Sequence, residues 1–515
     1  MKKILCFVLS LVLCLSLPVF AFADDTCDCG NAPVVLVHGF GSPMYTVNED
    51  GSQGALISMT AEDVMALVPD IMSALGKLTF GDDVGFAKAV KEIVDVIAGN
   101  LYCNADGTSV ADIGVGPNTP ADPAIHLRAY NEKNPDAENF ETFYTFHQDW
   151  RLDPLASAAL LDAYIQEIKE ATGHEKIVLM AHSQGNIIAV SYLSEFGTED
   201  IEKVIFTSPA YQGLRLVGQL YTRDISIAGK APALTAFLDT FMRLNADQQT
   251  LVNLIGVLDE AGVLDALVGA VDLFLDSTLD ALYDYVLIDM FATMPGIWGF
   301  VPDEYYEEAK EVMLQKEEHK EIIPVIDAYH YGVQTQMPAI LADLEAKNIP
   351  FYILAGYGIA PIPVYDDAVY QSDMLIDTDY MTLGATCAAT GEKLSYEGET
   401  LPQYFSPDLM VDASTCLYPD RTWLMRYQGH LDMCNAYTDF VAWLLSEDTQ
   451  LTVFDNEAYP QFMQCNAHDA FVPVTEPEVT DERSYFQRFI DSIIQFFKDA
   501  FAKLFGSVSI TMPEC

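Results

Sequence analysis

The chain has 515 residues, half of them hydrophobic, with 76 acidic against 26 basic side chains and a formal net charge of −50. That length and apolar content provide for one large core with substantial insertions and exclude a disordered chain. The charge excludes a nucleic-acid partner, because phosphates are repelled within a Debye length, and it suits a protein dissolved in an extracellular medium.

The first residues carry Lys2 and Lys3, an apolar run, and then Ala21-Phe22-Ala23, the small-x-small pattern a signal peptidase requires. Cleavage is expected after Ala23, making residues 1–23 a signal peptide and the protein a secreted one. Leu11-Val12-Leu13 before Cys14 offers no small residue for a lipoprotein site, which argues against a lipid anchor. Removal of the signal leaves Cys27, Cys29, Cys103, Cys387, Cys416, Cys434, Cys465 and Cys515. An even number of cysteines in an oxidising compartment predicts disulfides, with a connectivity that spacing cannot assign.

Residues 33–37 form a short apolar run ending in His38-Gly39-Phe40-Gly41, a buried strand feeding a glycine-rich loop. Residues 45–135 read as an insertion, with helical spacing over 60–75 and 84–97. Asp153-Pro154 then opens a helix that runs to Gly173. A β-branched strand over 176–181 passes through His182-Ser183-Gln184-Gly185 into a helix over 186–195, and another strand follows at 204–207. Strand, helix and strand at this pitch predict right-handed crossovers and a mostly parallel sheet flanked by helices, an α/β fold.

A second, helical insertion spans about 214–330, where Asp265, Asp272, Asp276 and Asp280 interrupt the apolar runs and argue against a membrane span. The sheet pattern resumes at 349–355, a helix is expected over 435–445, and sheet signals fade after Leu445. The reading is therefore one domain over 24–446 and an extension over 447–515. The extension holds a linker at 472–482 and an amphipathic helix with Phe486, Phe489, Ile490, Ile493, Phe497, Phe501 and Leu504 at helical spacing. Arg483, Arg488, Lys498 and Lys503 make that helix locally basic. It reads as packed on its own domain, with peripheral contact to a lipid interface or docking of an acidic partner as the alternatives.

The stretch Ala181-His182-Ser183-Gln184-Gly185 between strand and helix has the context of a nucleophile elbow, whose tight turn needs small residues two before and two after the serine. Ser183 is the expected nucleophile. The Gln184 N–H would be one oxyanion donor, and the Phe40 N–H, brought close by the glycine loop, the second. In this arrangement the acid and then the histidine follow the serine in the chain. His430, on a loop before the helix at 435, is preferred over His468; His319 and His330 read as surface or capping residues. Asp366, Asp367, Asp373, Asp377 and Asp379 crowd one segment. Asp373, followed by Met374-Leu375-Ile376, fits best, with Asp377 and Asp379 as alternative acids. Nothing in such a triad calls for a metal or an organic cofactor.

These residues resemble the lecithin:cholesterol acyltransferase-like branch of the α/β-hydrolase lipases. The resemblance rests on the Val37-to-Gly41 loop, Asp149-Trp150-Arg151-Leu152 ahead of a helix, the elbow, and residues 356–361 before the acid. Gln148 stands where that family has tyrosine, and Ser372-Asp373-Met374-Leu375-Ile376 lacks the glycines of its Gly-Asp-Gly-Thr-Val pattern. The resemblance covers separated blocks of about half the chain and implies the α/β-hydrolase fold, with helical insertions forming a cap or lid. It also implies ester chemistry on lipid-like acyl substrates. Hydrolysis by a serine esterase or lipase is the first expectation. Acyl transfer to an alcohol and a non-catalytic binding protein on the same scaffold are the competing ones.

Overall fold

The computed structural model describes residues 32–56, 61–116, 118, 143–225, 257, 278–364, 371–390, 392–396, 402–430, 436–466 and 470–475. The expected signal peptide, Cys27, Cys29, Cys434, Cys515, His468, Asp366, Asp367, most of the second insertion's apolar stretch and the expected C-terminal amphipathic helix lie outside the described residues.

The centre is an eight-stranded sheet. In chain order its strands are β1 (Val34–Val37), β5 (Phe143–Phe146), β6 (Ile177–His182), β7 (Ile201–Thr207), β8 (Phe351–Tyr357), β11 (Thr422–Arg426), β12 (Phe462–Cys465) and β13 (Phe471–Pro473). They lie in the order β13-β12-β11-β8-β7-β6-β1-β5. Every neighbouring pair is parallel except β12 with β13.

Period-two alternation sends the strand side chains into two cores. Val35, Leu179, Ala181 and Phe206 pack on one face with helices α3 (Pro154–Thr172) and α4 (Gly185–Phe196). Val34, Val178, Met180, Ile205 and Trp423 pack on the other, with α9 (Ala436–Ser446) supplying Phe440, Val441 and Leu444. Because both faces are covered, these strands are continuous apolar runs in the sequence. Local chemistry sets the helix ends. Asp153 caps α3 by accepting from Leu155 N–H, Pro154 occupies its first turn, and Gly173 closes it at φ +70°. Lys203, buried in β7, donates through Nζ to the carbonyls of Leu444, Leu445 and Glu447 and so caps the end of α9.

The first insertion contributes a small antiparallel sheet of β2 (Met44–Val47), β3 (Gln53–Ala55) and β4 (Ile113–Val115), and a helical hairpin of α1 (Ala61–Thr79) and α2 (Asp83–Ala98), while β9 (Thr386–Cys387) and β10 (Val411–Asp412) pair as a separate antiparallel ribbon. Arg151 ties this insertion to the sheet. It is fully buried, forks onto Asp149, and donates to the carbonyls of Asn100 and Leu101 and to Ser109 Oγ.

The described part of the second insertion holds α5 (Arg215–Tyr221), α6 (Asp303–Met313) and α7 (Ile323–Gly332), and α8 (Met337–Ala346) follows it. Its Gly296 lies on the 150–152 backbone: its N–H donates to Arg151 O at 2.8 Å, and a Cβ there would fall 2.1 Å from Trp150 O. Gly296 O also accepts from Gln184 Nε2 at 3.1 Å, so a segment of this insertion rests beside the elbow.

One expectation is corrected. The sheet does not end near Leu445: β12 pairs with β11, and β13 follows, so residues 462–473 complete the domain. Four- and three-residue strands at a sheet edge carry little pattern, and Pro473 sits where an edge tolerates proline. The expected cysteine pairing is not shown among the described residues. No disulfide joins any two of the described cysteines, Cys103, Cys387, Cys416 and Cys465. Burial pushes the Cys103 and Cys416 thiols up to about 12, so both behave as small apolar side chains. Among the described residues no helix is long and apolar enough to cross a membrane.

Candidate active site

Ser183 stands between β6 and α4 at φ +55°, a left-handed conformation that a serine adopts only in a sharp turn. Small neighbours are required in space as well as in sequence. A Cβ on Gly185 would meet Val37 O at 2.2 Å, and one on Gly39 would meet Ser183 Cβ at 2.8 Å and His182 O at 2.9 Å. The turn is tied down from below: Ser183 N–H donates to Thr207 O, and Asn186 Nδ2 donates to both Ser183 O and Thr207 O.

Ser183 Oγ lies 2.8 Å from His430 Nε2, and His430 Nδ1 lies 2.7 Å from Asp373 Oδ2. All three residues are buried. The structure thus brings Ser183, Asp373 and His430, separated by up to 247 positions, into one hydrogen-bonded line. Two loops at the carboxyl ends of β8 and β11 hold the second and third members. Asp373 Oδ1 accepts from the N–H groups of Leu375 and Ile376, and His430 N–H donates to Asp373 O at 2.8 Å. Gly356 lets these loops meet, since a Cβ on it would fall 2.5 Å from Gln428 O and 2.8 Å from Asp373 Cβ.

The electrostatics follow from this packing. Burial alone pushes the Asp373 carboxyl up, but the adjacent His430 and the two N–H donors overcome it and hold the group below its ordinary range. Burial likewise pushes His430 down, and the Asp373 carboxylate outweighs it, leaving the imidazole above its ordinary value.

The alternative acids lie elsewhere. Asp377 Oδ1 pairs with Arg215 Nη1 at 2.7 Å and Asp379 Oδ2 with Arg215 Nη2 at 3.1 Å, so this guanidinium bridges both carboxylates. Burial raises Asp377 to about 6 in spite of Arg215. Neither carboxylate is the one that meets His430, and Asp377 and Asp379 are set aside as triad acids. The surface reading of His319 and His330 is also corrected, for both are buried. His330 packs flat on Tyr306 and hydrogen-bonds Asp303 and Gln334.

Gln184 opens α4 as its N-cap residue, with its main chain at the positive end of the helix. Its side chain donates to Trp150 O and Gly296 O, joining the elbow to both neighbouring segments. Phe40 follows Gly39 and is 55% exposed, its ring 4.4 Å from that of Trp150. Sequence reasoning missed the side-chain role of Gln184, the Arg215 bridge and the contacts of His182. Of these Gln184 and His182 carried a signal, by standing inside the elbow motif; Arg215 carried none.

Residues 143–216 match a sequence family described as an alpha/beta hydrolase of unknown function (DUF900). That span runs from β5 through the elbow to the start of α5. No curated protein matches the chain. Among solved structures, the chain is similar to one from "The crystal structure of Tle4-Tli4 complex", at 8% identity and a TM-score of 0.27 over 63% of this chain and 75% of that one. It is also similar to MenH from S. aureus, at 16% identity and a TM-score of 0.23 over 63% of this chain and 90% of that one. At those scores no argument rests on either. The sheet order and the family match give the α/β-hydrolase fold, and the match points to hydrolase chemistry.

Proposed function

We propose that this protein is an exported serine hydrolase that cleaves carboxylic esters, with lipid-like acyl esters as its substrate class. The observation that carries this reading is the line Ser183–His430–Asp373, with contacts of 2.8 and 2.7 Å, at a strand-to-helix turn. Ser183 Oγ attacks the ester carbonyl while its proton passes to His430 Nε2. Asp373 holds the imidazole by Nδ1 and stabilises the imidazolium. The oxyanion is received by the Phe40 and Gln184 N–H groups, a contribution of about 3 kcal/mol for each donor. The alkoxide leaves with the proton from His430, and water, activated by the same base, frees the acid from Ser183. This chain of steps needs no metal or organic cofactor.

Export is supported by the N-terminal segment. The lipid-like substrate is supported by the resemblance of the motif blocks and by the exposed Phe40 ring beside the nucleophile turn. The test is a graded series of p-nitrophenyl esters with wild type and Ser183→Ala. Turnover should favour the longer acyl chains and fall about 10⁶-fold in the variant, to background. Undiminished turnover by Ser183→Ala would remove the reading, and a flat or short-chain profile would remove its lipid part. Supplying an alcohol separates acyl transfer, since only a transferase accumulates the new ester.

A further inference from the structure

His182 ends β6 one residue before Ser183, and the mechanism above gives it no task. Its Nδ1 lies 3.1 Å from Thr207 Oγ1, and that hydroxyl donates to Ala181 O at 2.9 Å. A hydroxyl has one proton to give, so the Thr207 oxygen receives a hydrogen from His182 Nδ1. This fixes the tautomer of the neutral ring and pins its orientation. The ring centroid so placed stands 5.1 Å from that of His430, with the planes inclined by 34°. His430 is thereby held at three places: Nδ1 by Asp373, Nε2 by Ser183, and the ring by His182.

We propose that His182 is a positioning residue for the general base. Its ring, anchored on β7 through Thr207, keeps the His430 imidazole in the rotamer that reaches Ser183. It also presents an aromatic π-system to the imidazolium that forms as the serine attacks. The first effect matters because proton transfer requires hydrogen-bond distance, and small displacements of the base are costly in rate. The second follows from the attraction of a cation to an aromatic ring, which grows in a desolvated site. The inference rests on the serine-hydrolase reading and adds a residue to it.

Substitutions at 182 and 207 test it, with steady-state kinetics on a soluble p-nitrophenyl ester and the far-downfield proton resonance of the His430 Nδ1–H. His182→Ala should lower kcat about 10- to 100-fold, leave KM unchanged, and shift or broaden that resonance. His182→Phe, which restores a ring, should recover most of the lost kcat. Thr207→Val keeps the bulk of the strand residue and removes the anchor together with the hydroxyl's bond to Ala181 O. It should lower kcat by a smaller factor, again without raising KM, and it carries the test if His182→Ala does not fold. Wild-type kcat and an unmoved resonance in the folded variants would overturn the positioning role, as would a raised KM with unchanged kcat. Ser183→Ala separates the two readings. If it is inactive while the His182 and Thr207 variants match wild type, only this inference falls; if it is active, the underlying reading falls too.

Discussion

Two buried carboxylates four residues apart, Asp373 and Asp377, come from one acidic segment and meet opposite partners. Asp373 faces an imidazole, and Asp377, with Asp379 beside it, faces a guanidinium. An arginine never gives up its proton in a protein, so a carboxylate bound to it is held in a fixed ion pair. An imidazole gains and loses its proton near neutrality, so a carboxylate bound to it can serve a proton transfer. What separates the two acids is the backbone between them. Met374 turns at φ +92°, and Asp373 folds back to accept from Leu375 and Ile376. The role of a buried acid is thus set by the partner the turn delivers it to, and neighbouring acids in a sequence are not interchangeable candidates.

Exchanging the chemistry at each acid sharpens that contrast. Asp373→Asn should leave the fold intact and lower kcat about 10⁴-fold, because the imidazole loses the partner that fixes its tautomer; ester turnover on the folded variant measures this. Asp377→Asn should act on stability, costing about 3–5 kcal/mol in urea unfolding because Arg215 stays buried with half its partner lost. The kcat of the molecules that remain folded should be close to wild type. Reversed outcomes, with Asp377→Asn inactive but stable, would exchange the two roles.

The pH dependence distinguishes the pairs more finely. With His430 raised, the acid limb of kcat/KM should fall away at a pH above the ordinary histidine value of about 6.5, since the base must be unprotonated. Stability from the same residue runs the other way: it is fully present below about pH 6.5 and is lost as pH rises through the folded value. The lowered Asp373 adds stability above about pH 3.9 that is lost as pH falls through its own folded value. The stability difference between wild type and Asp373→Asn should therefore be largest between these limits and shrink on both sides. The smallest effect is expected at the turn itself. Met374→Gly should raise stability by about 1 kcal/mol in thermal unfolding and leave turnover unchanged, because glycine accepts a positive φ without strain.

What the sequence made legible follows from how local each constraint is. The elbow could be read because small residues at fixed spacing around Ser183 answer to contacts within one turn, and α3 because Asp153, Pro154 and Gly173 each carry end-specific chemistry. Asp373 could be ranked above its neighbours by the apolar residues after it. Asp377 and Asp379 stayed open as alternatives because their partner, Arg215, lies more than 160 positions away and no spacing rule reaches that far. Met374, directly after the acid, takes a positive φ that favours glycine, so the turn is made without one and no turn residue marks it in the sequence. The burial of His330 depends on Tyr306, Asp303 and Gln334 converging on it, and β12 and β13 depend on the sheet edge already being there. Such tertiary conditions leave no periodic trace.

The central claim, that Ser183 is a nucleophile activated by His430 and oriented by Asp373, is tested most directly by labelling the folded protein with a fluorophosphonate and locating the adduct by peptide mass spectrometry. One adduct is expected, on Ser183, formed slowly or not at all in Asp373→Asn and lost on unfolding. An unlabelled Ser183 in a preparation that hydrolyses esters, or an adduct on a different serine, would contradict it.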